Sequence, residues 1–518
     1  MEHTLDDDTA PATVMKPGLS LRRAAGSGVA WSAILTVVRQ VTQVVVAVIL
    51  ARLLTPKEYG LAAMAFILTG FVLTLSDVSL GKALVQRAEI DELDRSTVFW
   101  ASVGLGFILT AGGIAGSPLI AGLFDQPKLQ PLVAVLSIGF LLISLQMTQA
   151  ALFQREMRFR ASALRLIGGT VVAAVVAIVA AASGAGSWAL IAQELAFAAT
   201  STLLLWTLSS WRPKFMFSWA RLRALGGFGI RLVGARLLGN LNDNADSMLI
   251  GRFLGSAALG VYSVAFNLVM VPLSRLVLPV SDSLFPIYSR IQDDRGRMGR
   301  IWLRTVVLVV AVSGPLMLGL LVVAPEFVST VFGDQWTGAV PVVRILAPVA
   351  VVISMAQISI SVLLALGRSG TVFRYSAVST PLTVGAFAVG LHWGVVGVAT
   401  CYACTAIPLA AVMIVIVVRV LDVRFRELLG NLWHVLEATA AMVAAVLAAH
   451  WYLHSESLSP ALVLVGVVAV GIAVYVPICL LRVRPIREEA GRLKSLFRSS
   501  VGRARQRFGQ PLAVDRGL

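Results

Sequence analysis

Apolar runs long enough to cross a bilayer recur from residue 25 to residue 481, separated by brief polar loops. A hydrocarbon core about 30 Å thick takes roughly 20 residues of helix. Inside lipid each backbone polar group must be satisfied within its own element, so unbroken runs of this kind fold as helices. They fall near 25–50, 59–81, 97–122, 131–152, 163–183, 187–209, 225–250, 257–284, 302–324, 341–365, 372–391, 394–418, 433–452 and 459–481. The fold class expected is therefore all-α: a polytopic membrane protein of about fourteen transmembrane helices. Of the 518 residues, 58% are hydrophobic and 14% charged, against roughly 25% charged in an ordinary soluble domain. A soluble fold could not hide that much apolar surface, and no loop is long enough to house an extramembrane enzyme domain.

The net charge is +16. Spread over a surface, such a charge would suit a nucleic-acid partner, but here the basic residues cluster between apolar runs, which is the pattern of membrane topology. No nucleic-acid partner is expected. Of the 43 Lys and Arg, the odd-numbered loops hold only Arg52, Lys57, Lys128 and Arg252. The N-terminus, the even-numbered loops and the C-terminal tail carry nearly all the rest, including Arg155, Arg158, Arg160, Arg295, Arg297 and Arg300. The positive-inside rule then puts both termini in the cytoplasm and requires an even number of spans.

Residues 1–20, acidic and rich in Thr and Pro, read as a disordered cytoplasmic tail. The run that follows lacks a clear cleavage site and carries Arg39, so it reads as a retained first helix. Residues 483–518 are basic and amphipathic. Leu493, Phe497, Val501, Ala504 and Phe508 recur at three- and four-residue steps with Arg between them, the pattern of a helix lying on anionic membrane lipids. Cys401 and Cys404 form a CxxC inside an apolar run and read as small buried hydrophobes. No metal site, Walker-type phosphate loop, HExxH or GxSxG is present, so neither cofactor nor enzyme is expected.

An internal duplication organises the chain. Residues 49–66 read ILARLLTPKEYGLAAMAF and residues 249–266 read LIGRFLGSAALGVYSVAF. Arg52/Arg252, Leu54/Leu254, Gly60/Gly260, Ala65/Ala265 and Phe66/Phe266 coincide without a gap. Six helices separate the copies, so both cross the membrane in the same direction. The expected organisation is two parallel, pseudo-symmetric six-helix lobes, 21–210 and 211–420, followed by two further helices within 421–482. In such a design a substrate path runs between lobes that rock to give alternating access.

Polar groups within hydrocarbon are costly, about 2.5–3.5 kcal/mol for a central Arg on insertion scales, and those that remain mark pathways or partners. The first helix carries Thr36, Arg39, Gln40 and Gln43 on one face; the seventh carries Arg236, Asn240, Asp243 and Ser247 at the same steps. An offset of 200 superposes Thr36, Gln40 and Gln43 on Arg236, Asn240 and Asp243. These stripes read as two walls of an aqueous chamber, with Gln40, Gln43 and Asn240 as substrate-binding candidates. Arg39, Arg231, Arg236 and Arg275 are the basic candidates for an anionic substrate, because a guanidinium binds phosphate through two hydrogen bonds and never loses its charge. Local neutralisation by Asp77, Asp243 or Asp246 is the competing role for Arg39 and Arg236. Those three carboxylates are the candidates for proton or sodium coupling. Lys82 and Asp282, equivalent in the repeat, are a candidate gate pair at the inward mouth.

The chain resembles the polysaccharide transporters, the Wzx-like group, of the multidrug/oligosaccharidyl-lipid/polysaccharide flippase superfamily. The resemblance rests on Ile49 through Pro56 with Glu58-Tyr59-Gly60, on Asn244-Ala245-Asp246 running to Gly255, and on Gln154 through Arg160. Trp188-Ala189-Leu190 with Gln193, and Ala365 through Arg368, add to it. It implies a flippase in the bacterial plasma membrane, turning a polyprenyl-diphosphate-linked oligosaccharide from the inner to the outer leaflet for lipopolysaccharide or exopolysaccharide biosynthesis. Two relatives of the same superfamily are the alternatives. An ion-coupled multidrug antiporter would want net negative walls, and the arginines argue against it; a lipid II flippase would differ only in cargo.

Overall fold

A computed structural model describes residues 38–76, 81, 84–85, 87, 89–226, 229–455, 459–483 and 485–488. The helices are α1 (38–53), α2 (Pro56–Ser76), α3 (Glu92–Leu123), α4 (Leu129–Arg155), α5 (Phe159–Ala182), α6 (Trp188–Leu208) and the short α7 (Trp219–Gly226). Then come α8 (Gly229–Phe253), α9 (Gly255–Arg290), α10 (Arg295–Phe327), α11 (Ala339–Ala365), α12 (Ser369–Gly390), α13 (Gly394–Val420), α14 (Phe425–Ser455) and α15 (Pro460–Arg482). No strand occurs among the described residues. A helix falls in each of the expected apolar runs, described from residue 38 onward in the first, and α7 is an extra, short helix in the loop before the seventh. Among the described residues ten helical stretches are long and apolar enough to cross a membrane, one of them, Ser369–Val420, holding two of the runs. The polar stripe of α8 keeps it out of that set, since every long window across it includes Arg236, Asp243 and Asp246.

Large apolar side chains stand outward along these helices: Leu119 is 79% exposed, Leu481 74% and Val465 66%. A surface of this kind is solvated by acyl chains. Between helices in lipid the hydrophobic drive is absent, so close packing and small residues hold the bundle together. The glycines of α3 divide accordingly. A Cβ on Gly106 or Gly113 would overlap Ser144 or Ser137 of α4, whereas Gly112 and Gly116 have nothing within 4 Å.

The described residues form two compact units, one within Met1–Leu50, Phe71–Ser117 and Pro131–Leu237, the other within Ala51–Gly70, Pro118–Gln130 and Leu238–Leu518. In the first unit α5 and α6 pack side by side, and a polar belt ties the start of α3 to α7 and the segment before it. Asp91 caps α3, accepting from the Asp94 N–H at 2.7 Å. Arg221 then bridges Asp91 at 3.2 Å and Asp94 at 3.3 Å, and Trp211 donates to Glu92 at 2.7 Å.

In the second unit α11 is the central helix, packed by α9, α10 and α13, with Val342, Val343, Leu346, Ala347 and Ala350 fully buried. α14 and α15 pair and lean on α10. The duplicated segments meet here. Gly60 of α2 and Gly260 of α9 face each other so closely that a Cβ on Gly60 would overlap the Ser256 carbonyl oxygen, and one on Gly260 the Pro56 carbonyl oxygen. Just before that crossing, α2 opens on a capping box: Glu58 N–H donates to Thr55 Oγ1 at 3.4 Å, and Thr55 N–H to Glu58 Oε2 at 2.8 Å.

The end of α1 docks on the turn after α10. Gln335 donates to the Ala51 and Leu54 carbonyls at 2.8 and 3.0 Å, and Trp336 Nε1 to Ala51 at 2.7 Å. These bonds satisfy carbonyls that the helix end leaves open. Arg52 answers by donating to the Thr330 and Val331 carbonyls.

Candidate functional site

The polar stripe of the first helix lies on α1, where Arg39, Gln40 and Gln43 are all half-buried. Arg39 stands near enough to Arg165 of α5 for the two positive charges to act on each other. Arg165 donates from Nη1 to Gln146 Oε1 of α4 at 3.2 Å. Arg165 is not among the basic candidates read from the sequence, although its place within the apolar run 163–183 could have marked it.

The second stripe lies on α8. Arg231 and Arg236 belong to that helix, and their side chains lie outside the described residues. Asn240 is half-buried and donates from Nδ2 to the Gly70 carbonyl of α2 at 3.0 Å. Its own carbonyl accepts from Asn244 Nδ2 at 2.9 Å. Asp243 is exposed. Asp246 is buried, 4% exposed, in contact with α9: Tyr262 donates its hydroxyl to Oδ2 at 2.8 Å, and the Ser247 N–H donates to Oδ1 at 2.6 Å. Tyr402 of α13 is close enough to feel the charges of Asp243 and Asp246. Tyr262 stacks on Phe266 at 5.7 Å and Tyr402 on Phe387 at 5.4 Å. Asp246 thus sits among tyrosine hydroxyls walled by aromatic rings. The tyrosines were missed because a Tyr in an apolar run carries no charge to mark it.

Arg275 is exposed on α9, as is Asp282. Asp77 and Lys82 lie outside the described residues, and so do the tail 1–20 and nearly all of 483–518. The cysteines depart in part from expectation: Cys401 is half-buried but Cys404 is exposed. Among the described residues no group of three or more His, Cys, Asp or Glu could hold a metal ion.

Guanidinium and amide groups of this kind donate to anionic or hydroxyl-bearing partners, and in the second unit the Asp246 carboxylate is shielded from solvent.

The fold is shared with solved transporters. A lipid II flippase, MurJ, in an inward closed conformation aligns with a TM-score of 0.68 at 14% identity, over 88% of this chain and 99% of that one. A MATE family multidrug resistance transporter of the MOP superfamily, in an inward-facing conformation, aligns with a TM-score of 0.59 at 15% identity, over 74% and 94%. By sequence, the lipopolysaccharide biosynthesis protein WzxC of Escherichia coli K12 is 30% identical over 374 residues, 72% of this chain and 76% of that protein. The succinoglycan biosynthesis transport protein ExoT of Rhizobium meliloti is 28% identical over 66% and 69%. The model of a family described as polysaccharide biosynthesis proteins matches residues 49–341, and with that match and the 30% relative the chain belongs to this family of polysaccharide biosynthesis membrane proteins.

Proposed function

We propose that the chain is a flippase that moves a polyprenyl-diphosphate-linked oligosaccharide from the inner to the outer leaflet of a bacterial plasma membrane, for assembly of a surface polysaccharide. One observation carries the proposal. A member of the polysaccharide biosynthesis family, with relatives named for lipopolysaccharide and succinoglycan biosynthesis, holds arginines and amides inside its membrane helices. Those groups suit a diphosphate and a sugar; a carrier of organic cations would want carboxylates in their place. The headgroup travels through a cationic chamber while the polyprenyl tail stays in lipid, with alternating access between two lobes and no bond made or broken. Both termini are cytoplasmic by the distribution of Lys and Arg. Asp246, with Tyr262 beside it, is the best placed of the candidate carboxylates for proton or sodium coupling, and anionic lipids hold the basic C-terminal tail.

The test is reconstitution. Liposomes carrying the purified protein and a lipid-linked oligosaccharide are scored by the access of an impermeant glycosidase to the glycan. Wild type exchanges the glycan between leaflets, and Arg39→Gln slows it about tenfold or more, the loss of one charge-assisted phosphate contact. Liposomes that leave the glycan where it was placed but extrude a cationic dye would replace the proposal with the antiporter.

A further inference from the structure

Within the first unit, α4 and α5 carry three polar side chains that the stripes on α1 and α8 do not include: Arg165 and Gln146, which meet, and Gln149, one turn from Gln146. Arg165 lies six residues into α5, and Gln149 six residues before the end of α4, so each is about 9 Å inside the 155–159 turn by helix rise. Gln146 accepts from Arg165 Nη1 at 3.2 Å. Gln149 stands one turn further along the same face of α4. It is fully buried, and neither its amide nitrogen nor its amide oxygen has a hydrogen-bond partner; the buried Nε of Arg165 has none either. Among the described residues no carboxylate forms an ion pair with Arg165. Buried amides and guanidinium N–H groups are almost always satisfied in folded proteins. Three orphan polar atoms on facing helices, beside an uncompensated positive charge, describe a place made for a ligand that accepts hydrogen bonds and is negative.

We propose that Arg165, Gln146 and Gln149 form an oxyanion site inside the first unit, which takes the phosphate oxygens of a polyprenyl diphosphate or of inorganic phosphate. A guanidinium presents its N–H groups as a planar fork that matches two oxygens on one phosphorus. Gln149 supplies a further donor from Nε2. Its Oε1 accepts from the hydroxyl of inorganic phosphate, or from a hydroxyl of the sugar next to a lipid-linked diphosphate. A halide lacks the second oxygen and the hydroxyl and leaves Gln149 half-satisfied. The inference deepens the flippase reading and rests on it for the lipid source of the phosphate; the site itself is read by binding rather than by transport.

The experiment titrates the full-length purified protein with inorganic phosphate, with polyprenyl diphosphate and with chloride, following heat release and melting temperature. Wild type binds one or both phosphates in preference to chloride. Arg165→Gln weakens that binding about tenfold or more, and Arg165→Lys restores part of it, since a point charge replaces a fork. Gln149→Met separates a ligand role from a structural one. It removes two orphan polar atoms from a dry position, so the empty protein melts higher, yet phosphate binds more weakly. If Arg165→Gln does not purify, Gln149→Met carries the test by itself. Binding of both phosphates supports the site, and binding of the lipid alone supports it and names the source. Polyprenyl diphosphate bound equally by wild type, Arg165→Gln and Gln149→Met overturns the site and leaves the flippase reading standing. No phosphate binding to wild type, or chloride binding as tightly, overturns the site as well, and the glycosidase assay then judges the flippase reading separately.

Discussion

Asp246 is nearly closed off from solvent, and two donors, the Tyr262 hydroxyl and the Ser247 N–H, are aimed at its two oxygens. Removing the charge while keeping an acceptor isolates the role of ionisation. Asp246→Asn retains an oxygen for Tyr262, so the protein folds, but flipping in liposomes loses any response to an imposed proton or sodium gradient. A variant that still follows the gradient as wild type does would remove Asp246 from coupling. Tyr262→Phe has the opposite signature: it leaves a buried carboxylate oxygen without its donor, costs about 1–3 kcal/mol, and lowers the melting temperature. At this scale legibility in the sequence was uneven. A charge within an apolar run marks itself, which is how Arg39, Asp243 and Asp246 were found. Tyr262, Gln146 and Gln149 are polar only at their tips, so their chemistry emerges once neighbouring helices place them.

Helices were the most legible elements because lipid leaves the backbone so few alternatives. Their ends were less so: α3 begins at Glu92 and α10 at Arg295, ahead of the apolar runs, because caps and polar first turns extend a helix beyond its hydrophobic stretch. The equivalence of Gly60 and Gly260 in the repeat was readable from the sequence. The close crossing of α2 and α9 was not, since a glycine shared by two repeats shows equivalence without showing contact. That crossing predicts a contrast. Gly60→Ala or Gly260→Ala pushes a Cβ into a facing backbone carbonyl and costs about 1–3 kcal/mol by overpacking. Gly112→Ala, with open space around it, costs nothing and gains helix propensity. Thermal unfolding of the three proteins in one detergent measures the difference. The belt at the start of α3 predicts a pH effect. The Asp94 backbone N–H, with Arg221 acting alongside, holds the Asp91 carboxyl below its ordinary value. A depressed carboxylate stabilises the fold above the usual Asp value near pH ~4, and that contribution fades as the pH falls through the folded value. Melting temperatures between pH 7 and pH 3 should therefore fall less steeply for Asp91→Asn than for wild type.

At the scale of the molecule, the proposed flippase has a direction as well as a fold. Nearly all the basic residues outside the apolar runs fall at the N-terminus, in the even-numbered loops and in the C-terminal tail, and in the proposed topology the positive-inside rule assigns that side to the cytoplasm. In the proposed cycle outward movement draws on the cargo or on a gradient. A diphosphate leaving a negative interior is driven outward by about 2.3 kcal/mol per charge for each 100 mV. Two charges at that potential amount to about 4.6 kcal/mol, which exceeds what one ion moving down a tenfold gradient supplies, about 1.4 kcal/mol. In the proposed cycle the membrane potential is therefore the stronger drive, and a coupled ion at Asp246 would reset the empty carrier. Liposomes with a potassium-diffusion potential, negative on the side that holds the N- and C-termini, should empty that leaflet of lipid-linked glycan faster than depolarised liposomes. Reversing the potential should reverse the net flux. Net transport of equal rate under both signs and after collapse of every gradient would mean that the protein only equilibrates its substrate, and that the arginines bind charge without harnessing it.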